Sequence, residues 1–517
     1  MGLESALLIS SEGLANVAGD LSVISHNVAN AATPSYADEV STQRALDGAG
    51  VGMGVQTGVV IRTVNQSIQS DLFSQNATVS DLEITQSSLA PIDATLGQVG
   101  SGNDIASLLG TLQDGFSTLS EDPSNVADQS QVVSDAQVLA GSINTLSQTY
   151  TTARQAAEND LVAAVGTLNL ALQSIGTLSE AIIAARNSNE SVADLENDRD
   201  AEISTVSNLL SINVITQSNG DVLIETPDGL TLPTHNDGDA FATTDSVLSA
   251  GDGSTPGVTL NGTDVTSQLL GGRIGADINL RDNILPTYQA ELDEFAQTLT
   301  TRFSNQGLTL FTNPNGLVPS AVNTGSVAQA EYLGYAAQIT VNPAVVADPS
   351  AVRDGNNTIS GGYDAATGGT TNAADFTPNP STGPAGFNTL IANILNFTFG
   401  ADVSSVNSVN TPWPSINTTG LGAKGNLSSP YSSTSSLSDL ASSMIGAQAQ
   451  VIANSQSRLT NEKSLQSTLQ TQISSQSGVS IDNEMSNMLA LENSYGANAK
   501  IIAAVQSLFA EVLAMVQ

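Results

Sequence analysis

Residues 478–517, GVSIDNEMSNMLALENSYGANAKIIAAVQSLFAEVLAMVQ, place apolar side chains at alternating steps of four and three. The seam runs Ile481, Met485, Met488, Glu492, Tyr495, Ala499, Ile502, Gln506, Phe509, Leu513 and Val516, and only Glu492 and Gln506 interrupt it. That spacing predicts a long helix with a coiled-coil face. A second apolar set, Leu489, Ile501, Val505, Leu508, Val512 and Met515, lies on another side. A helix that is apolar on two sides needs two neighbours. At about 1.5 Å per residue it makes a rod roughly 55–60 Å long.

A matching helix is written at the other end. Leu7, Leu14, Leu21 and Val28 recur every seven residues, with Leu3, Val17 and Ile24 at the complementary position and Ser10 out of pattern. Two terminal seams predict a paired helical stalk in which one face of the C-terminal helix meets the N-terminal helix and the other meets a second molecule. An antiparallel pair closing a monomeric bundle accounts for the same spacing, and the sequence alone leaves both readings open.

Composition narrows the function. The chain has 517 residues, enough for two to four domains, and no cysteine, which removes disulfides, thiolate metal sites and cysteine nucleophiles. Against 50 acidic residues stand 13 Lys and Arg, a formal charge of −37, which repels nucleic-acid phosphates and anionic membrane surfaces. Neither nucleic acid nor membrane insertion is therefore expected. No Lys or Arg precedes Arg44, so the N-terminus lacks the positive start of a secretory signal, and no continuous apolar run reaches the length of a membrane span.

Between the ends the pattern changes several times. Thr33-Pro34 ends the first helix, and Gly48, Gly50, Gly52, Gly54 and Gly58 predict a flexible or hairpin-like segment with little capacity to pack. Helical period returns from Ile61 through Val64, Ile68 and Leu72 to Leu82, and again from Asp104 to Leu210. The latter region predicts two long helices, 132–170 and 172–186, and a third from Val192 that carries the charge run Asp194 to Asp200, expected to be a solvated face. Asn219-Gly220 between alternating stretches predicts a small β-hairpin. Helix resumes at Arg273. Residues 307–425 read as short β-like pieces and loops around the single tryptophan, Trp413, and a long helix follows from Leu437.

Chemistry is hard to find in this text. His26 and His235 have no partner at metal or triad spacing in the sequence, and no phosphate loop, nucleophile elbow or helical zinc pair occurs. His235-Asn236-Asp237-Gly238-Asp239 has part of a calcium-loop pattern without its terminal glutamate, and a polar turn is the expected reading. No enzyme activity, metal or cofactor is expected.

Several motifs resemble those of the flagellar axial proteins. Ser25-His26-Asn27-Val28-Ala29-Asn30-Ala31-Ala32-Thr33-Pro34-Ser35-Tyr36 is similar to the N-terminal signature of rod, hook and hook-associated proteins. Ser477 to Glu484, with Leu489, Tyr495, Ala499-Lys500 and Leu508-Phe509, is similar to their C-terminal one. Asp194 to Asp200 leading into Ser211-Ile212-Asn213-Val214, then Gly272-Arg273-Ile274-Gly275 with Arg281-Asp282, and Val341-Asn342-Pro343, resemble the hook-associated protein 1 family rather than hook protein. Ser35 stands where the signature usually has glycine, and Ala37-Asp38 where it usually has Arg-Gln.

The resulting expectation is a mainly α fold with inserted β. It comprises a terminal coiled-coil domain (1–72 with 478–517), an elongated helical inner domain with a small hairpin (73–306 with 426–477) and a smaller β-rich outer domain (307–425). The resemblance implies a structural, extracellular part of the bacterial flagellum, exported through the flagellar type III apparatus and joining hook to filament as a self-assembled ring. Its implied partners are other copies, the hook protein, hook-associated protein 3 and an export chaperone on the C-terminal helix. The assembly residues expected are Leu7, Leu14, Leu21, Ile24, Asn27, Asn30, Tyr36, Ile481, Met488, Tyr495, Ile502, Phe509 and Leu513. A hook or distal-rod protein is the alternative within this class, and a secreted acidic adhesin or enzyme the alternative outside it.

Overall fold

The computed structural model describes residues 2–33, 36–48, 51–97, 102–320, 327–364, 369–370, 373–406, 409–430 and 436–516. Ser35, the departure from the N-terminal signature, lies outside them. Helix α1 (Leu3–Asn30) leads into a long hairpin, β1 (Glu39–Gly48) and β2 (Val51–Arg62). Helices α2 (Gln66–Leu96), α3 (Ile105–Glu121), α4 (Val126–Asn187) and α5 (Ala193–Leu209) follow. A small sheet, β3 (Asn213–Thr216), β4 (Val222–Glu225) and β5 (Thr231–Leu232), turns at Gly220, whose φ is +98°. Helices α6 (Gly272–Asn279) and α7 (Leu285–Ser304) are joined by one π-helical segment, Leu280–Ile284. The short helices α8 (Pro343–Ala347), α9 (Ala351–Asp354) and α10 (Thr389–Asn393) punctuate two- to five-residue strands before α11 (Leu437–Ser477) and α12 (Ile481–Val516) bring the chain back. The protein is mainly helical with long terminal helices and small antiparallel sheets, as the sequence predicts.

Two expectations about helix limits change. The two helices expected over 132–186 are one helix of 62 residues, started by the Asn125 side chain, which accepts from the backbone N–H groups of Ala127 and Asp128. Its apolar face drifts round the axis. Ala136, Ile143 and Tyr150 enter a core shared with α3, α7 and α11, whereas Leu161, Leu168 and Ile175 enter a second core with α5, α6 and the β3–β5 sheet. A face that moves reads in sequence as a break. Ile61 belongs to β2, and α2 begins only at Gln66, behind an Asn65 cap. The glycine-containing hairpin also packs: Asn16 of α1 bonds the carbonyl of Val55 and accepts from the amide and hydroxyl of Thr57, and Gln43 donates to Asp20 at 2.7 Å.

Residues 307–425 contribute to the first core. Leu308, Phe311, Val345, Ile391 and Trp413 cluster with Phe116, Phe303 and Leu437. Trp413 donates from Nε1 to the Phe397 carbonyl at 2.8 Å, with the Arg302 guanidinium 4.9 Å from its ring centroid.

Three helical stretches, Leu3–Asn30, Val126–Asn187 and Leu437–Met515, are long and apolar enough to cross a membrane by length and composition. The expectation that none reaches that threshold rested on unbroken apolar runs. Here alanine, leucine and isoleucine raise the mean hydropathy while polar residues interrupt every run.

The Gly-Arg-Ile-Gly motif has a backbone reason. Gly272 opens α6 at φ +61°, and a Cβ there would overlap the backbone at Leu209–Leu210, where α5 ends. Gly272→Ala is expected to lower unfolding free energy by about 2 kcal/mol in urea melts, combining a left-handed alanine with overpacking. One turn further on, Asp277 is fully buried and both its carboxylate oxygens lack a hydrogen-bond partner. Burial, then the nearby Asp160 charge, pushes its pKa up to about 8. The folded pKa lies above the unfolded value, so this contribution to stability is complete below about pH 4 and is lost as pH rises through about 8. We expect the thermal midpoint to fall between pH 5.5 and 8.5, and Asp277→Asn to remove that part of the fall, worth about 3 kcal/mol.

Candidate assembly interface

Helices α1 and α12 lie against each other. The side of α12 turned inward reads Glu484, Met488, Leu491, Asn498, Ile502, Val505 and Phe509, which are its less exposed positions. Met488, Ile502 and Phe509 come from the first sequence seam and Val505 from the second. Glu484 and Asn498 are polar, which hid this register from a search for apolar repeats. Gly13 of α1 allows the Asn498 amide to approach to a distance that a Cβ would contest, 2.9 Å.

The pairing is thin. Among the described residues of these two helices, of 28 and 36 residues, only Val17, Ile24 and Val505 are apolar and buried. Ile501, Leu508, Val512 and Met515 recur at steps of seven, four and three along one stripe of α12 and are 45–78% exposed. Ile481, Tyr495 and Leu513 are more than half exposed, and Leu21 and Val28 on α1 face outward as well. Among the described residues no other element covers them.

The expected assembly residues therefore divide. Leu21, Ile481, Tyr495 and Leu513 are exposed; Leu7, Leu14, Met488, Ile502 and Phe509 are partly buried. Ile24 is buried within the protomer. Asn27, 1% exposed, donates from Nδ2 to Asp38 Oδ1 (2.8 Å) and the Glu39 carbonyl (2.9 Å), and its Oδ1 accepts from the Glu39 amide and the Tyr36 hydroxyl, both at 3.1 Å. Asn30 donates to the His26 carbonyl, one turn back in its own helix. Asn27 thus shapes the turn from α1 into β1, while Asn30 stays partly exposed at the end of α1. Glu484 reaches Asn27 from α12, and burial raises its pKa.

Behind this turn lies a joint that the sequence did not disclose. The charge run expected to be solvated is split: Asp194 and Asp198 face water, while Asn197, Arg199 and Asp200 are buried. Arg62, at the end of β2, binds Glu196 (3.1 Å), Asn197 (3.0 Å) and Asp200 (2.8 Å). Asn197 accepts from the Ala37 amide at 3.1 Å and donates to Glu39 Oε1 at 3.0 Å. Arg199 donates to the Gly220 carbonyl at 2.7 Å, tying in the small sheet. The run is polar because it bonds another polar segment, a distinction that helical periodicity cannot make. His26, expected to be without partners, has Nδ1 3.3 Å from Asp194 Oδ1, with Glu39 beside both. Burial, then the Asp194 charge, pushes Glu39 up to about 7. At the other histidine, Nε2 lies 3.3 Å from Asp221, and no metal-ligating group forms there among the described residues.

The long-helix body thus carries paired chain ends that are thinly packed and apolar on their outward side. Residues 89–316 match the family model of the flagellar hook-associated protein FlgK helical domain, and residues 469–515 match that of the flagellar basal body rod FlgEFG protein C-terminal region. The two matches agree with the sequence motifs on a flagellar structural protein of the FlgK hook-associated type. The structure is also similar to that of the flagellar hook junction protein FlgK from Burkholderia pseudomallei, with a TM-score of 0.44 and 17% identity, covering 78% of this chain and 99% of that one. Comparison with curated proteins finds no match.

Proposed function

We propose that this protein is the adaptor between hook and filament, a structural part with no catalytic role, assembled from copies of itself through its terminal helices. The observation that carries the proposal is the uncovered stripe Ile501, Leu508, Val512 and Met515 beside an α1–α12 pair with three buried apolar side chains. A pair so thinly packed gains little from folding alone. Covering four such side chains contributes on the order of 6–10 kcal/mol before ordering costs, and fixing the helix backbone offsets most of it. The stalk would therefore order as neighbours arrive, giving a ring of about one helical turn of subunits, with Leu21, Ile481, Tyr495 and Leu513 at the contacts and Leu7, Leu14, Met488, Ile502 and Phe509 holding the pair in register.

The same account makes α12 the segment an export chaperone would shield, and the flagellar type III apparatus the route outward. Hook protein would lie on one side of the ring and hook-associated protein 3 on the other. Residues 73–306 with 426–477 would form the inner body and 307–425 the part facing away from the axis. Fluorescently labelled protein added to purified hooks should bind their distal ends saturably. Binding along the hook wall, or none, would count against the adaptor role.

A further inference from the structure

The joint between stalk and body brings together three side chains with metal-ligating atoms from three separate elements: His26 from α1, Glu39 from β1 and Asp194 from α5. One ligand atom of each lies within 4.8 Å of the other two. The geometry points to a divalent transition-metal site of the zinc type at this joint, one ion clamping the terminal helix and hairpin to the helical body.

Four features support the assignment. The Glu39 and Asp194 carboxyl groups stand within hydrogen-bond reach of each other, and among the described residues no lysine or arginine pairs with either. Arg62, the nearby cation of the joint, is occupied by Glu196, Asn197 and Asp200. Two facing carboxylates need a positive centre between them, a proton or a metal ion, and the Nδ1 of His26 at 3.3 Å from Asp194 is placed to complete a ligand set for the latter.

Second, the buried ligand is held from behind. Glu39 is 5% exposed, its backbone is pinned at both N–H and C=O by Asn27, and its Oε1 accepts from Asn197 Nδ2 at 3.0 Å. Such supporting hydrogen bonds orient a ligating carboxylate, whose other near neighbours are Asp194 and the Tyr36 hydroxyl. Third, the set of one imidazole nitrogen and two carboxylate oxygens suits a borderline ion such as Zn²⁺, whereas Ca²⁺ and Mg²⁺ prefer oxygen alone and more of it. Fourth, His26 and Asp194 are exposed, at 56% and 62% of their side chains, which leaves a path for the ion and a coordination position for water. A tetrahedral zinc ion spaces its ligand atoms about 3.3 Å apart, so small side-chain rotations close the present spacing.

The test is calorimetric titration of zinc sulfate into the tag-free, full-length protein, alongside His26→Ala, Asp194→Asn and, as a control, His235→Ala. We expect one equivalent to bind with a dissociation constant in the micromolar range. Affinity should fall at least tenfold in each of the first two variants and stay unchanged in His235→Ala, with unaltered far-ultraviolet circular dichroism in all four. Cobalt substitution should give the intense visible bands of a four-coordinate ion, lost in His26→Ala. No saturable uptake, uptake that His26→Ala leaves intact, or uptake abolished by His235→Ala would overturn the assignment. Equal affinity for calcium would overturn the zinc-type chemistry, and a joint that responds to pH but not to zinc would show that the carboxyl pair holds a proton only.

Discussion

Replacing Leu508 and Val512 together by aspartate is expected to abolish assembly while leaving the rest of the molecule folded. Both side chains are nearly half exposed and sit four residues apart on the uncovered stripe of α12, so charge there costs the lone protomer little. In an assembled ring the same two carboxylates would be buried without partners, at several kcal/mol each, enough to reduce association by well over a thousandfold. The thermal midpoint of the helical body, whose cores contain no α12 residue, should move by less than about 1 °C. A strain carrying the pair should secrete the protein but lack filaments. Val505→Asp is the counterpart: this side chain is 5% exposed against α1, and its replacement should loosen the stalk itself. A double variant that still caps hooks would show that the stripe is not the contact.

The second large effect is inside the body. Arg281, 1% exposed in the π-helical segment between α6 and α7, donates from Nη1 to Glu158 of α4 at 2.7 Å and to the Pro256 carbonyl at 2.9 Å. Its Nε and Nη2 form a bidentate pair with Asp282 at 2.8 and 2.7 Å, while its own carbonyl accepts from Arg154 at 2.8 Å. Glu158 is fully buried. Arg281→Met would strand that carboxylate, with an expected loss of about 4 kcal/mol in urea unfolding, about twice that of Gly272→Ala. Adding Glu158→Gln removes the stranded charge and should restore about half of the loss. Equal stability of the single and double variants would mean that the Asp282 pair, not the Glu158 pair, carries the energy.

These two sites mark how far the sequence reaches. Heptad leucines at 7, 14, 21 and the 481–513 seam disclose two terminal helices, and Asn219-Gly220 discloses its hairpin, because each depends on local spacing. The direction each helix face takes is another matter. α12 turns Glu484 and Asn498 inward along with Val505, so its inner register combines residues from both apolar sets with polar ones that no hydrophobic period would select. The drift of the α4 face from one core to the other looks like a break for the same reason. Polar residues mislead most: Glu291, Asp293, Glu294 and Arg302 on α7 are all buried and bond partners far away in the chain, such as the backbone amides of Gly334 and Ala336 on Asp293 at 2.7 and 2.8 Å. Asn197 and Arg62 are in the same position, 135 residues apart and joined at the base of the stalk. Pattern reading assigns such groups to water, and only the tertiary fold shows what they bond.

The measurement closest to the central claim is immunogold electron microscopy of detached flagella, with antibody raised against residues 307–425. The account predicts a single narrow band of label at the boundary between hook and filament. Label along the whole hook would contradict the adaptor role and make this a hook subunit, and flagella without label would contradict the axial assignment itself.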